Sequence, residues 1–589
     1  MPSVVEPSAA TPEPAAGKHT AIALAVLLVG CGLAALPYWW LEAGEPSLRQ
    51  QRLGALLYWT PLAALPFALA GAVWRWRVRT SSLGTHLQRS WPVLLLALLA
   101  TAVVVATVPL QQRVQFDETS LLGTSQNMHG QRLAVMTTAS FPSRGELVPV
   151  GNMVDKRPTL FPLLASLLHD VRGYDPDHTL GLNVLLLAIA LATAGLAVRA
   201  RGLGIALLAP LSLLAVPLTT VVASSGGFEL LAALLFFGLL LAARDVVAGR
   251  DDGTLAPRLA NFLGLGVLFA WSRYESLPAL LLVVALVAFG LRARLPRSRA
   301  LLGFVLLLPV LLVPLWPLLL HARDPRFYPE AGGQPLLAFA HGLAHVPTFV
   351  AAWFKPTLGQ PLPGLVAWMA VAAVSCWLWR GRVDVPLCAF SVLLPIVPVA
   401  AVTTLVLFWF YGDVGERTAL RLFLPAAWAT ALLPVLLLPT LRGRLAIAVV
   451  VAAAAFAGWQ VRAVARGEAM PVLADAATYE GLPRAAEHLA QDRGHTLWVG
   501  TPAQFLITRG HAAVSPKAFL ERAGDVRALL RQGDVRTIYV VETTRDAALA
   551  PVFGKPRDVL DQLPSELVVP AGGEQVGGSA PFTVHRLRP

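Results

Sequence analysis

Apolar runs long enough to cross a lipid bilayer alternate with short polar segments along most of the chain. About 20 apolar residues in a helix span the hydrocarbon layer. A longer run at 259–291 is interrupted by WSRYES (271–276), which predicts two short helices that meet at a polar turn. The pattern predicts a polytopic α-helical membrane protein with about 13 transmembrane helices. The other runs of this length are 20–41, 53–74, 91–110, 180–199, 203–223, 228–244, 300–320, 363–379, 385–410, 419–440 and 445–461.

Short arginine-rich loops predict the orientation of these spans, because Lys and Arg favour the cytoplasmic side of a membrane. The basic segments at 74–89, 199–201, 292–299, around 381 and at 442–444 share one side if the amino terminus is cytoplasmic. Four segments then lie outside the cytoplasm. They are the loop 111–179, the turn 224–229, the loop 321–362 and everything after about residue 462.

The predicted outer segments have secondary-structure patterns of their own. In the loop 111–179, residues 117–136 and 159–171 predict two helices that lie in the membrane interface. From 463 to 589, helical patterns alternate with short apolar strands such as TLWVG and RTIYVVE, which predicts an extracytoplasmic α/β domain. Residues 1–19, rich in Pro and Ala, are expected to be a disordered cytoplasmic tail, which leaves 20–462 as the transmembrane core.

The composition agrees with a membrane protein and narrows the other classes. The chain is 56% hydrophobic and only 14% charged, against about 25% charged in a soluble protein. Its net charge of +12 comes mostly from the cytoplasmic arginine clusters, so a nucleic-acid partner is not expected. The three cysteines, Cys31, Cys376 and Cys388, fall in apolar runs, and neither a disulfide framework nor a cysteine metal site is predicted.

Acidic residues at the predicted outer surface are the first functional candidates, because an ionisable group at membrane depth is costly unless it is paired or hydrated. Asp117 and Glu118 follow the third span directly, so that one carboxylate can face a cavity while the other caps the helix or pairs with Arg113. Glu229 opens the span at 228–244. Function and an ordinary role at a helix start remain alternatives for all three acids.

Basic residues on the same side are candidates for binding an anionic head group. Lys156 and Arg157 precede Pro158 at the start of the second interfacial helix, where free backbone amides add positive potential. Arg421 lies at the start of a late span, and Arg417 is nearby. Arginine can hold phosphate through two nitrogens. The alternatives are anchoring at the lipid surface for Lys156 and Arg157, and a local pair with Glu416 for Arg417.

The remaining candidates carry weaker signals. Arg273 and Glu275, in the WSRYES break, are either site residues or an internal ion pair that satisfies the break. Lys355 lies in the loop 321–362, which is expected to exclude water from the site. His129 and His169 are expected on helix surfaces rather than at a metal.

Five of these motifs, in this order, resemble the GT-C superfamily of integral membrane glycosyltransferases. They are FDETSLLGTSQNMHGQRL, DKRPTLFPLLASLLHDVRG, SSGGFELLAALLFFGLLLAAR, SRYESLPALLLV and ERTALRLFLP, and they cover roughly residues 90–460. The similarity is strongest to the branch that contains protein O-mannosyltransferases and the aminoarabinose transferase of lipid A. The resemblance implies an inverting transfer of a sugar from a polyprenyl phosphate to an acceptor hydroxyl outside the cytoplasm.

The resemblance also implies roles for the candidates. Asp117 is expected to be the general base, with Glu118 as the second acid of its pair and Glu229 as a further acid of the site. The leaving phosphate is expected to be held by Lys156, Arg157, Arg417 and Arg421.

Metal dependence stays open on the sequence alone. A divalent cation such as Mg²⁺ or Mn²⁺ would be held by Asp117 and Glu229 if any is used, although Glu stands at 229 where the family usually has Asp. The expected acceptor is a glycan, lipid or protein, and the expected location is the bacterial inner membrane.

Two other readings fit the same sequence. One is a transporter or flippase for a lipid-linked sugar, since a broken helix such as the one at WSRYES is common in transporters. The other is a non-catalytic assembly protein that has kept the fold.

Overall fold

The computed structural model describes most of the helical core and most of the carboxyl-terminal sheet. The described residues are 32, 45–79, 83–113, 115–248, 255–291, 338–354, 389–408, 420–438, 443–469, 481–490, 492–543, 546, 553–563, 565–569 and 582–587. The spans predicted at 300–320 and 363–379 lie outside these residues, as do Arg417, Lys355 and all of the span predicted at 20–41 except residue 32.

The helices and strands are numbered in chain order. The helices are α1 (Pro46–Arg79), α2 (Leu83–Thr107), α3 (Gln115–Gln131), α4 (Leu160–Arg172), α5 (His178–Ala197), α6 (Leu203–Leu214), α7 (Pro217–Ala223), α8 (Glu229–Ala248), α9 (Leu255–Ala270), α10 (Ser276–Leu291), α11 (Phe339–Phe354), α12 (Ala389–Phe408), α13 (Leu424–Leu437), α14 (Gly443–Ala465), α15 (Leu482–Leu489), α16 (Ala503–Ile507), α17 (Pro516–Glu521), α18 (Ala523–Gln532) and α19 (Pro556–Leu560). The strands are β1 (Met136–Ser143), β2 (Glu146–Met153), β3 (Thr496–Gly500), β4 (Ala512–Val514), β5 (Thr537–Thr543), β6 (Ser565–Val569) and β7 (Phe582–Leu587).

Five of the described helices are long and apolar enough to cross a membrane, namely α1, α2, α5, α8 and α14. The bent pair of α6 and α7 makes six if it is counted as one span. Shorter apolar helices include α9, α10 and the segments 397–408 and 420–433. The protein is therefore a multi-pass membrane protein by the length and composition of its helices, while the total of about 13 spans stays a prediction.

The span predicted at 203–223 is a bent pair of helices. Helix α6 ends at Leu214 and α7 begins at Pro217, with an angle of 72° between them. Val216 precedes the proline and is extended, at φ −88° and ψ 109°. A residue before proline is disfavoured in the helical region, so the chain bends here although its apolar character continues.

The loop 111–179, predicted to lie outside the cytoplasm, contains a β-hairpin that the sequence pattern did not predict. The first interfacial helix was expected to run to Met136, but α3 ends at Gln131 and β1 begins at Met136. Strands β1 and β2 pair antiparallel through a tight turn at Arg144 and Gly145, where φ is +51° and +80°. The second helix, α4, lies where the pattern placed it.

The carboxyl-terminal residues form a five-stranded sheet in the order β4-β3-β5-β7-β6. Strands β4, β3 and β5 are parallel to one another. Strand β7 is antiparallel to both of its neighbours, β5 and β6. Ala139 and Phe141 of the outer hairpin share one apolar core with this sheet, and the backbone N–H of Ala513 donates to Ser140 Oγ at 3.1 Å. The sheet is therefore packed directly onto the outer loop.

Candidate active site

The site lies where several helix starts and breaks meet on one side of the bundle. Asp117 is in the first turn of α3, a position that the helix dipole favours for an acid. Glu229 begins α8, and Arg421 lies in the short 3₁₀ helix Leu420–Phe423 that leads into α13. Arg157 lies in the loop before α4, and Arg273 in the break between α9 and α10.

Asp117 stands between two arginines. Arg157 Nη2 donates to Asp117 Oδ1, and Arg421 Nη2 donates to Asp117 Oδ2. Burial would raise the pKa of Asp117, but the two guanidinium groups outweigh burial and hold that pKa well below its usual range. Asp117 is therefore a fully ionised carboxylate whose two oxygens are both engaged by cations.

Each arginine also has a second acidic partner. Arg157 Nη1 donates to Asp155 Oδ1 at 2.7 Å, and both side chains are buried. Arg421 Nη1 lies 2.7 Å from Glu229 Oε1. The site is thus a row of alternating charges, which compensates the cost of burying each of them.

Glu229 and the WSRYES break extend this row. Arg273 Nη1 lies 3.3 Å from Glu229 Oε1, and Arg273 Nε lies 2.6 Å from Glu275 Oε1. The guanidinium of Arg273 also lies 4.7 Å from the centre of the Phe228 ring. The ion pair at the break is therefore present, and it is joined to the site rather than separate from it.

Glu118 points into the backbone next to the site. Its Oε2 accepts hydrogen bonds from the backbone N–H groups of Arg113 and Gly226, both at 3.0 Å, and its side chain is 1% exposed. The side chain of Arg113 donates to Ser224 Oγ at 2.9 Å. Glu118 thus ties the loop before α3 to the turn before α8.

Asn183 of α5 is a site-supporting residue that the sequence analysis missed. Its Nδ2 donates to the carbonyl oxygens of Ser225 at 2.6 Å and of Gly227 at 2.7 Å. A Cβ on Gly227 would overlap Glu229 Oε2, so a larger residue there would displace this carboxylate. The sequence signal that could have identified Asn183 is a polar amide side chain in an otherwise apolar span.

Lys156 is half-buried between Asp155 and Arg157 in the chain, next to the site. Two contacts join α16 and the residue after it, which lie between β3 and β4, to α3 and to the loop after α4. Ser120 Oγ lies 3.5 Å from Gln504 Oε1, and Tyr174 Oη donates to the carbonyl oxygen of Thr508 at 2.6 Å.

The predicted surface position of His169 is wrong. His169 is fully buried, with Nε2 3.1 Å from Ser125 Oγ and Nδ1 2.8 Å from His178 Nδ1. Burial, together with His178 and His129, lowers the pKa of His169 to about 4. His129 is half-buried, and its Nδ1 lies 2.6 Å from Asp170 Oδ1.

The donor set at Asp117 and Glu229 does not fit a divalent cation. Arg421 contacts both carboxylates, so a guanidinium already lies where a metal bridging them would have to bind. Within the described ranges, no group of three or more His, Cys, Asp or Glu side chains could hold a metal ion. The chemistry below is therefore assigned to the side chains alone.

No protein-family model and no curated protein matches the sequence. Solved structures do match in fold. ArnT from Cupriavidus metallidurans in the apo state is 14% identical, covers 86% of this chain and 98% of its own, and gives a TM-score of 0.50. ArnT bound to undecaprenyl phosphate is 16% identical over 84% of this chain and 98% of that one, with a TM-score of 0.48. The Archaeoglobus fulgidus oligosaccharyltransferase in complex with zinc and sulfate is 12% identical over 83% and 73%, with a TM-score of 0.41.

ArnT is a GT-C glycosyltransferase. The similarity to ArnT extends over most of both chains, and the predicted resemblance to GT-C proteins is confirmed at the level of the fold. Fold alone does not assign an activity, which has to be argued from the site.

Proposed function

We propose that this GT-C-like protein is a glycosyltransferase that moves a sugar from a polyprenyl phosphate to an acceptor hydroxyl outside the cytoplasm. The observation that carries the proposal is the position of Asp117 between Arg157 and Arg421. Such a transfer needs a base for the hydroxyl and cations for the departing phosphate. The three side chains supply both.

In the proposed reaction, Asp117 accepts the proton of the acceptor hydroxyl while the hydroxyl oxygen attacks the anomeric carbon of the donor sugar. The bond between that carbon and the phosphate oxygen breaks, and attack from the opposite face inverts the configuration. The leaving group departs as a prenyl phosphate. Its charge is held by Arg157 and Arg421, because a planar guanidinium matches two phosphate oxygens.

The other acids and bases have supporting roles in the proposal. Glu229 holds Arg421 and Arg273 in position through contacts of 2.7 Å and 3.3 Å, and Glu275 holds Arg273 from the other side. Glu118, predicted as a catalytic residue, is assigned a positioning role because its Oε2 is bonded to two backbone amides. Lys156 adds positive charge beside Arg157.

The lipid, acceptor and location are part of the same proposal. The second ArnT structure contains undecaprenyl phosphate, and we take sugars linked to a lipid phosphate of that kind as the donors to test first. The acceptor is a glycan, lipid or protein. The protein is assigned to the bacterial inner membrane, with the sheet β3–β7 outside the cytoplasm, and Arg417 and Lys355 remain proposed contributors to the donor site.

A flippase for lipid-linked sugars is the second candidate. The bend of 72° between α6 and α7, and the break between α9 and α10, are features that transporters share. The row of charges at Asp117 argues against a flippase, because the arginines would retain a lipid phosphate that a flippase has to release on the other side of the membrane.

Sealed vesicles containing the purified protein distinguish the two candidates. Labelled undecaprenyl phosphate sugars are supplied with a membrane extract as the source of acceptors. A transferase releases undecaprenyl phosphate and forms a labelled product with inverted anomeric configuration. Labelled donor that crosses the vesicle membrane without being consumed would instead establish the flippase.

A further inference from the structure

Seven buried or half-buried side chains form one continuous row of alternating charge, named here the ion-pair chain. Acids stand at both ends and between the arginines, and every neighbouring pair is in contact. The members, in order, are Asp155, Arg157, Asp117, Arg421, Glu229, Arg273 and Glu275.

The ion-pair chain carries net negative charge before any substrate arrives. Four carboxylates face three guanidinium groups in it, and Arg157 and Arg421 are only 6% and 9% exposed. A phosphate placed beside this row would meet the carboxylate of Asp117, and two anions close together in a poorly hydrated site repel each other strongly. The phosphate and Asp117 therefore compete for the same guanidinium nitrogens.

The arrangement allows Asp117 to leave while the arginines stay in place. Arg157 keeps its contact of 2.7 Å with Asp155, and Arg421 keeps its contact of 2.7 Å with Glu229. Asp117 is one of the two inner acids of the row, and it is more exposed, at 21%, than Asp155 or Glu229, at 4% and 3%. It is thus the acid that can be exchanged without releasing either arginine.

We propose that the lipid phosphate binds by exchange, displacing Asp117 from Arg157 and Arg421, and that this displacement frees the carboxylate to act as a base. The inference rests on the proposed function and adds the order of events at the same site. While both arginines hold Asp117, its pKa is far too low for efficient proton abstraction. Once phosphate takes the arginines, that pKa returns toward the ordinary range, so that the base becomes active only when the donor is bound.

Lipid binding to variants of Asp117 tests the exchange. The affinity for undecaprenyl phosphate is measured in nanodiscs for wild type, Asp117→Asn and Asp117→Ser, with undecaprenol as the probe that lacks phosphate. Asp170→Asn is the matched control, because Asp170 pairs with Arg132 at 2.6 Å on the same outer loop and is not part of the ion-pair chain.

If Asp117 occupies the arginines at least nine-tenths of the time, removing its charge tightens phosphate-lipid binding by at least about tenfold. We expect this gain in both Asp117 variants, no gain in Asp170→Asn, and no change in undecaprenol binding. Two variants are used because serine and asparagine differ in how well they fill the site. A gain in either properly folded variant supports the exchange.

Three results would overturn the exchange. Unchanged or weaker phosphate-lipid binding in both Asp117 variants, with wild type preferring the phosphate lipid to undecaprenol, overturns it and leaves the proposed function standing. An equal gain in Asp170→Asn shows that any lost negative charge suffices, and also overturns it. A wild type that does not prefer the phosphate lipid overturns both the exchange and the donor assignment.

Discussion

Replacing Arg421 by lysine separates the role of a bridging guanidinium from the role of positive charge. Arg421 Nη2 contacts Asp117 and Arg421 Nη1 contacts Glu229, with 2.7 Å for the second contact. The single ammonium of lysine can satisfy one of these acids well but not both. The carboxylate that lysine does not reach, either Asp117 or Glu229, then keeps its charge in a buried site without the contact that Arg421 provides.

The size of the effect follows from the lost contact. A hydrogen bond to a charged group contributes about 1.5–3 kcal/mol, and Arg421 is 9% exposed, so solvent screens it little. If this contact is made in the transition state, turnover falls by roughly 10- to 150-fold. The thermal midpoint in detergent should fall as well, because the ion-pair chain is broken in the resting protein.

Donor consumption under single-turnover conditions measures the first effect, and a thermal unfolding scan measures the second. Arg132→Lys is the control, because Arg132 is 44% exposed and pairs with Asp170 on the surface, where an ion pair contributes about 0–1 kcal/mol. An Arg421→Lys protein with turnover and thermal midpoint like those of Arg132→Lys would refute the bridging role.

Three further predictions concern residues around the site. Stability should fall as the pH drops from about 6.5 toward 4, because His169 has a pKa of about 4 when folded and about 6.5 when unfolded, so the unfolded chain binds the extra proton in this range. In a plot of thermal midpoint against pH, His169→Gln should flatten this part of the curve. A curve that the substitution leaves unchanged would contradict the assignment. Glu118→Ala should destabilise the protein by about 2 kcal/mol or more in a denaturation assay, since two backbone N–H groups lose their acceptor, whereas wild-type stability would show that those amides find another. Gly227→Ala should lower turnover at least about tenfold by pushing Glu229 away from Arg421, with Gly130→Ala, where a Cβ meets nothing within 4 Å, as the control that retains turnover.

Hydropathy predicted the described spans well because the bilayer demands about 20 apolar residues whatever the protein does. It gave no sign of the bend at Pro217, because the run stays apolar through the bend. It also missed the hairpin, since Pro142 and Pro149 argue against strands and the Arg144–Gly145 turn lacks a typical hairpin sequence.

The members of the site were predictable one at a time, but their arrangement was not. Asp117, Glu229 and Arg421 each stood out as charged groups beside apolar runs. That Arg421 bridges the two acids depends on how helices far apart in sequence pack, which a hydropathy pattern does not contain. His169 was misplaced for the same reason: its burial comes from contacts with Ser125 and His178 on neighbouring helices.

The most direct test of the central claim is the single-turnover consumption of an undecaprenyl phosphate sugar by wild type, Asp117→Asn and Asp170→Asn. The account predicts that Asp117→Asn loses at least about 100-fold in rate, the contribution of a general base, while it still binds the donor lipid. Asp170→Asn should react at the rate of wild type. Consumption by Asp117→Asn at a rate close to that of wild type would contradict the assignment of Asp117 as the base.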